Sequence, residues 1–202
     1  MSPAAPPARG AGRLARAMRR PLTCLVVVAC ALAASACGNK KAEVLHGLTE
    51  GAYLDLGGLK YQVQISRLLN PASVEDRAYL LALPAAQRKL PANQQWFAVF
   101  MRVENDGQKA ARAATDYTIT DTENNKFRPL TLGPDNVFAY RSGTLQPKDV
   151  LPAPDSPAGQ GSIQGALLLF KIPDANFENR PLELSIRTPA APGKTAAVDL
   201  DV

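Results

Sequence analysis

Cysteine is nearly missing from this 202-residue sequence, and its placement is as informative as its scarcity. Cys24, Cys30 and Cys37 are the only three, all close to the N-terminus. The body beyond them has no thiol for a disulfide, a cysteine-based zinc site or a catalytic nucleophile. Histidine occurs once, at His46. With no second histidine and no cysteine in the body, zinc sites and Ser–His or Cys–His pairs are excluded on this reading, and His46 reads as a solvated linker residue. Acidic residues are absent before Glu43, whereas Arg9, Arg13, Arg16, Arg19 and Arg20 all precede Cys37. The 23 basic and 18 acidic residues of the chain therefore balance, 18 to 18, once those five arginines are set aside. The net charge of +5 and the pI near 9.2 describe the leader alone, so the formally neutral body argues against nucleic-acid binding. Internal repeats are not apparent. The glycines at 143, 159, 161 and 165 make no phosphate-cradling motif.

What the N-terminus does contain is a basic segment followed by an uncharged stretch from Pro21 to Ala36 and then Cys37-Gly38-Asn39-Lys40-Lys41. A positive region, a short apolar region and small residues at its end form a secretory signal. The stretch falls short of the roughly 20 apolar residues of an uncleaved spanning helix. Ala34-Ser35-Ala36 directly before Cys37 resembles the lipobox of bacterial lipoproteins, with Ala34 where that motif prefers leucine. The resemblance implies lipid attachment to the Cys37 thiol and cleavage in front of it. Plain small-x-small cleavage remains an alternative reading of the same residues, and Arg19-Arg20 followed by Pro21 fits a twin-arginine signal poorly. Initiation at Met18 would leave a signal of ordinary length. Residues 1–36 are thus assigned to the signal, and 37–49 to the lipidated cysteine and a flexible tether in which Lys40 and Lys41 lie near anionic headgroups. Two or three acyl chains on one residue give stable anchoring.

Residues 50–202 read as strands. Leu59, Tyr61, Val63 and Ile65 alternate with polar residues, as do Leu182, Leu184 and Ile186, and Val198, Leu200 and Val202. An opening strand runs from Gly51 to Leu56 and turns at Gly57-Gly58. Segments 115–121 and 126–131 flank Glu123-Asn124-Asn125 as a hairpin, and 137–140 forms a short strand. Ser73 to Leu83 reads as a short helix with Ser73 as cap, inside a long connection. Segment 145–162, with four prolines, is an irregular loop. The expected fold is all-β: an immunoglobulin-like two-sheet antiparallel β-sandwich with one short helix in a long inter-strand connection.

Trp96-Phe-Ala-Val-Phe-Met-Arg-Val-Glu-Asn-Asp-Gly107, Tyr117-Thr-Ile-Thr-Asp121 and Gly165-Ala-Leu-Leu-Leu-Phe170 resemble the telokin-like domain of unknown function found in bacterial secreted lipoproteins. The resemblance spans roughly 51–202 and implies an immunoglobulin-like sandwich; its motifs mark strands rather than a site.

No constellation of catalytic residues emerges. Asp121-Thr-Glu123-Asn124-Asn125 departs from a calcium loop at Lys126 and Leu132 and reads as a polar hairpin tip, while Asp199 and Asp201 read as a solvated strand face. The expectation is no enzyme, no cofactor and no metal. The sharper feature is that two strands are apolar on both sides. With Phe97, Val99, Met101 and Val103 inward, Trp96, Ala98 and Phe100 point out; with Leu168 and Phe170 inward, Leu167 and Leu169 point out. Trp96, Phe100, Leu167 and Leu169 then form either a patch for a protein partner or a surface covered by the helix carrying Val74, Tyr79, Leu80 and Leu83, and covering is favoured. The expected function is a membrane-anchored extracytoplasmic lipoprotein with a non-catalytic recognition or envelope-structural domain. A small-molecule or lipid carrier is the alternative, and a carboxylate-based hydrolase the third reading.

Overall fold

The computed structural model describes residues 42–200 and, from the leader, Ala4 alone. The signal, Cys37, Lys40, Lys41, Asp201 and Val202 lie outside the described residues. Among the described residues, no helix is long and apolar enough to cross a membrane.

Alternating segments become the strands of two five-stranded sheets. The first sheet places β1 (Glu43–Gly47), β12 (Lys194–Leu200), β11 (Leu182–Arg187), β6 (Asp116–Thr120) and β7 (Lys126–Phe127) in that order. The second runs β10 (Ala166–Pro173), β4 (Gln94–Glu104), β3 (Leu59–Leu69), β2 (Leu54–Leu56), with β9 (Val150–Leu151) pairing one end of β4. A separate ribbon joins β5 (Ala111–Arg112) to β8 (Thr144–Leu145). The end of β8, strand β9 and a one-turn helix, Pro157–Gln160, interrupt the segment expected to be irregular throughout. All ladders are antiparallel except that β1 lies parallel to β12.

The core fills the space between the sheets. Tyr61, Val63, Phe97, Val99, Met101, Phe170 and Ile172 from the second sheet meet Tyr117, Ile119, Leu184, Ile186 and Val198 from the first. Full burial of such a side chain contributes about 1.5–3 kcal/mol, so this layer is the main source of stability. The Ala114 amide donates to Tyr61 Oη at 2.8 Å, tying the approach to β6 onto β3. Burial pushes the Tyr61 phenol up to about 12 against the lowering effect of that hydrogen bond. The chain is an all-β sandwich.

Three local expectations are corrected. The tether assigned to 37–49 is shorter: Glu43–Gly47 is strand β1, seven residues ahead of the boundary expected at residue 50. Its Val44 is exposed, so no alternation announces it; backbone pairing with the far end of the chain makes it a strand. Second, Ile65 is not inward. The β3–β4 register shifts between Val63 and Ile65, and the extra residue turns the following side chains over, leaving Ile65 exposed and burying Ser66 and Leu69. Third, the helix α1 is confined to Val74–Tyr79, and the Ser73 side chain makes no capping hydrogen bond. Asp76, in the first turn of the helix, turns inward to pair with Arg67 of β3 and to accept from the Asn70 amide at 2.7 Å.

Candidate functional site

The outer face of β4 and β10 is closed by the chain itself. Trp96, Phe100, Leu167 and Leu169 are all buried, in a second apolar cluster with Tyr79, Leu83, Leu132 and Ala139. The β4–β10 register sets Leu167 beside Phe100 and Leu169 beside Ala98, as the two-sided pattern required. Tyr79 from α1 packs edge-on against Phe100 at 5.0 Å and against Phe138 at 4.9 Å. Val74, expected in the cover, is 76% exposed. Half of the cover comes from a segment the sequence reading did not assign to it, residues 130–140. Its backbone runs along β10, with Leu130 N donating to Leu169 O and Leu167 N to Phe138 O, both at 2.7 Å. The strand expected at 137–140 is here a single parallel bridge, Ala139 with Leu167. Asn136 Nδ2 donates to the carbonyls of Tyr79 and Leu81, each at 2.9 Å, fastening this segment to the end of α1. The patch is therefore part of a second core.

Polar groups converge instead on the outer face of the first sheet. Asp199 on β12 stands directly opposite Glu183 on β11, which stands opposite Thr120 on β6. Their neighbours in sequence, Leu182, Leu184, Val198 and Leu200, are buried in the core, so alternation directs both carboxylates outward. The parallel register pairs His46 with Ala197, which sets the imidazole diagonally across from Asp199. His46 Nε2 lies 3.2 Å from Asp199 Oδ1 and 3.3 Å from Glu183 Oε2. The three side chains are between 24% and 39% exposed, open enough for solvent and partly screened by the sheet. Two carboxylates directly opposite on neighbouring strands repel, and the imidazole nitrogen stands between them. His46, read from sequence as a solvated linker residue, is thus held by the sheet. The signal that could have found the cluster was the outward phase of Glu183 and Asp199; the register joining them to His46 is not readable locally.

Beside this cluster, the hairpin after β6 is organised by Asp121, which is buried. Its carboxylate accepts from the amides of Glu123 at 3.0 Å and Asn125 at 2.8 Å. The side-chain amides of Asn125, Asn176 and Asn179 donate at 2.9, 2.8 and 3.2 Å. Burial acts to raise this carboxyl, but the hydrogen bonds from Asn125, Asn176 and Asn179 outweigh it and hold it well below the usual carboxylate range. With its oxygens occupied by amides, Asp121 pins the hairpin to the 3₁₀ turn Asp174–Glu178, and the polar tip expected from sequence is a structural knot.

The strand order and its apolar interlayer define an all-β, two-sheet sandwich carrying a His–Glu–Asp cluster on one outer face. Three solved structures are similar to it in shape. The yjhA protein from Bacillus subtilis has 13% identity and a TM-score of 0.48, with 77% of this chain and 100% of that chain covered. The candidate lipoprotein ycdA, also from Bacillus subtilis, has 10% identity and a TM-score of 0.43 over 74% of this chain, which spans 38% of that one. An uncharacterised β-sandwich protein from Clostridium difficile 630 has 11% identity and a TM-score of 0.40, covering 81% of this chain and 97% of that chain. No protein-family model and no curated protein matches the sequence. The fold assignment rests on the pairing of this chain's own strands.

Proposed function

We propose that the protein is an exported lipoprotein, held on the extracytoplasmic side of a bacterial membrane by acyl chains on Cys37, whose telokin-like sandwich is a non-catalytic recognition module. The observation that carries this reading is the succession of a lipobox-like cysteine by a strand of the sandwich only six residues later, at Glu43. Six residues reach about 20 Å at most, so anchoring at Cys37 would hold the domain close against the headgroups. The matched charge of the body suits a module standing beside an anionic surface without being pulled flat onto it.

Recognition through an outer face, rather than carriage of a small molecule inside, is supported by the filled interlayer. Phe97, Val99, Phe170 and Leu184 are fully buried there. Surface clefts of the domain measure about 280–390 Å³, toward the lower end of the roughly 300–1,000 Å³ usual for small-ligand sites. Cell fractionation tests the anchoring. The wild-type chain is expected in the membrane fraction, labelled by a fatty-acid precursor and beginning at Cys37, and Cys37→Ser is expected to be unlabelled and released. Membrane retention of Cys37→Ser, or a mature N-terminus elsewhere, would overturn the proposal.

A further inference from the structure

We propose that His46, Glu183 and Asp199 form a three-ligand site for a divalent transition cation of the zinc class, with the fourth coordination position open to water. The inference deepens the reading of this sandwich as an outer-face recognition module and rests on that reading for its biological sense, but its chemistry does not depend on anchoring.

Geometry argues for it first. Zinc bonds to imidazole nitrogen and carboxylate oxygen are about 2.0–2.1 Å, and the edges of a tetrahedron built on them are about 3.3 Å. The two nitrogen–oxygen separations here are 3.2 and 3.3 Å. One ligand atom from each residue lies within 4.8 Å of the others, so a single ion reaches all three after a small rotation of one carboxylate. Hydrogen bonding argues next. His46 Nε2 is the common neighbour of both oxygens, yet one N–H aims well at only one acceptor. A cation replacing that proton satisfies all three atoms at once.

Electrostatics and rigidity point the same way. Glu183 and Asp199 are cross-strand neighbours of like charge, and among the described residues their only ion pairs run to His46. A divalent ion offsets two carboxylates more fully than an imidazolium does. The ligands come from three adjacent strands whose ladder fixes their spacing, so little ordering is required on binding. An imidazole nitrogen among the donors favours zinc, copper or nickel over calcium and magnesium, which prefer all-oxygen sets. Nearby Asp121 does not compete, because amide donors fill its oxygens.

The test uses the full chain purified in detergent and stripped with a chelator. Titration with zinc chloride, followed calorimetrically, is expected to give one saturable site per chain. His46→Gln, and Glu183→Gln combined with Asp199→Asn, are each expected to weaken it about tenfold or more, since loss of outer-shell support alone costs that much. Asp55→Asn, on the exposed side of β2 in the other sheet, is expected to bind as wild type. A second readout needs no variant. The chain has a single histidine, so its imidazole ¹⁵N resonances report on His46 alone; they should shift in step with zinc occupancy. Absence of saturable binding, unchanged affinity in His46→Gln, or an unmoved imidazole spectrum at saturating zinc would each overturn the site. Membrane fractionation is unaffected by any of these results, so failure of the metal site and failure of the lipoprotein reading are distinguishable.

Discussion

At the residue scale, the buried carboxylates are the points where chemistry and stability meet. Asp121 joins a hairpin to the 3₁₀ turn before β11 through five donors, and Asp76 joins α1 to the end of β3 through Arg67 and the Asn70 amide. Burial works to raise the Asp76 carboxyl, but the Arg67 guanidinium and the Asn70 amide prevail and lower it. For both groups the folded pKa is the lower one. Their contribution to stability is therefore complete above the unfolded value near pH 4 and is lost as pH falls toward the folded value. Asp121→Asn would face amide donors with an amide of its own. It is expected to cost about 2–4 kcal/mol at neutral pH and to flatten the acid limb of the stability profile. Urea unfolding of wild type and variant between pH 2 and pH 7 checks both; equal slopes on the acid side would show that other groups set it.

At the element scale, the cover over the second sheet and the turn between β2 and β3 show how sequence patterns become packing. A strand pair apolar on both sides needs something on each, and here the interlayer takes one face while α1 and segment 130–140 take the other. Tyr79 is buried in that cover and Val74, on the same short helix, is exposed. Tyr79→Ala is expected to lower stability by about 3–4 kcal/mol, and Val74→Ala to stay within about 0.5 kcal/mol of wild type. Chemical denaturation of the two variants measures the contrast. In the two-residue β2–β3 turn, Gly57 and Gly58 have φ of 64° and 83°, both in the left-handed region that a tight hairpin of this kind demands. A Cβ at Gly57 would also stand 2.9 Å from Thr188 Cγ2, whereas one at Gly193, with φ of 80°, meets nothing within 4 Å. Gly57→Ala is therefore expected to cost about 2–3 kcal/mol and Gly193→Ala about 1 kcal/mol, separating contact from backbone strain in thermal melts.

At the scale of the whole molecule, β1 closes the first sheet by lying parallel to the last strand, so the start of the folded body and its end share one ladder. A chain starting at residue 50 would lack this strand, expose the backbone edge of β12 and remove His46. Compared with one starting at residue 42, it is expected to melt at least about 5 °C lower, corresponding to roughly 2 kcal/mol for a domain of this size. It is also expected to self-associate through the bared edge. Calorimetry and sedimentation of the two chains decide this, and equal melting points would show β1 to be dispensable.

Local pattern was enough to determine the all-β class, the main strands with most of their inward residues, Ile65 apart, and the two-sided character within Trp96–Val103 and Ile163–Ile172. Each follows from period-two alternation, which one segment displays without reference to any other. The cover was half legible: a helix was readable near Tyr79, but segment 130–140 joins it through hydrogen bonds to β10, which no periodicity encodes. The bulge after Val63 was hidden because the alternation in sequence continues smoothly through Ile65, and only the partner strand shows that the register slips. The candidate site belonged wholly to tertiary structure. His46, Glu183 and Asp199 meet because β1 pairs with β12 across most of the chain, and the register of distant strands is set by the burial of their opposite faces, not by the residues that end up outside.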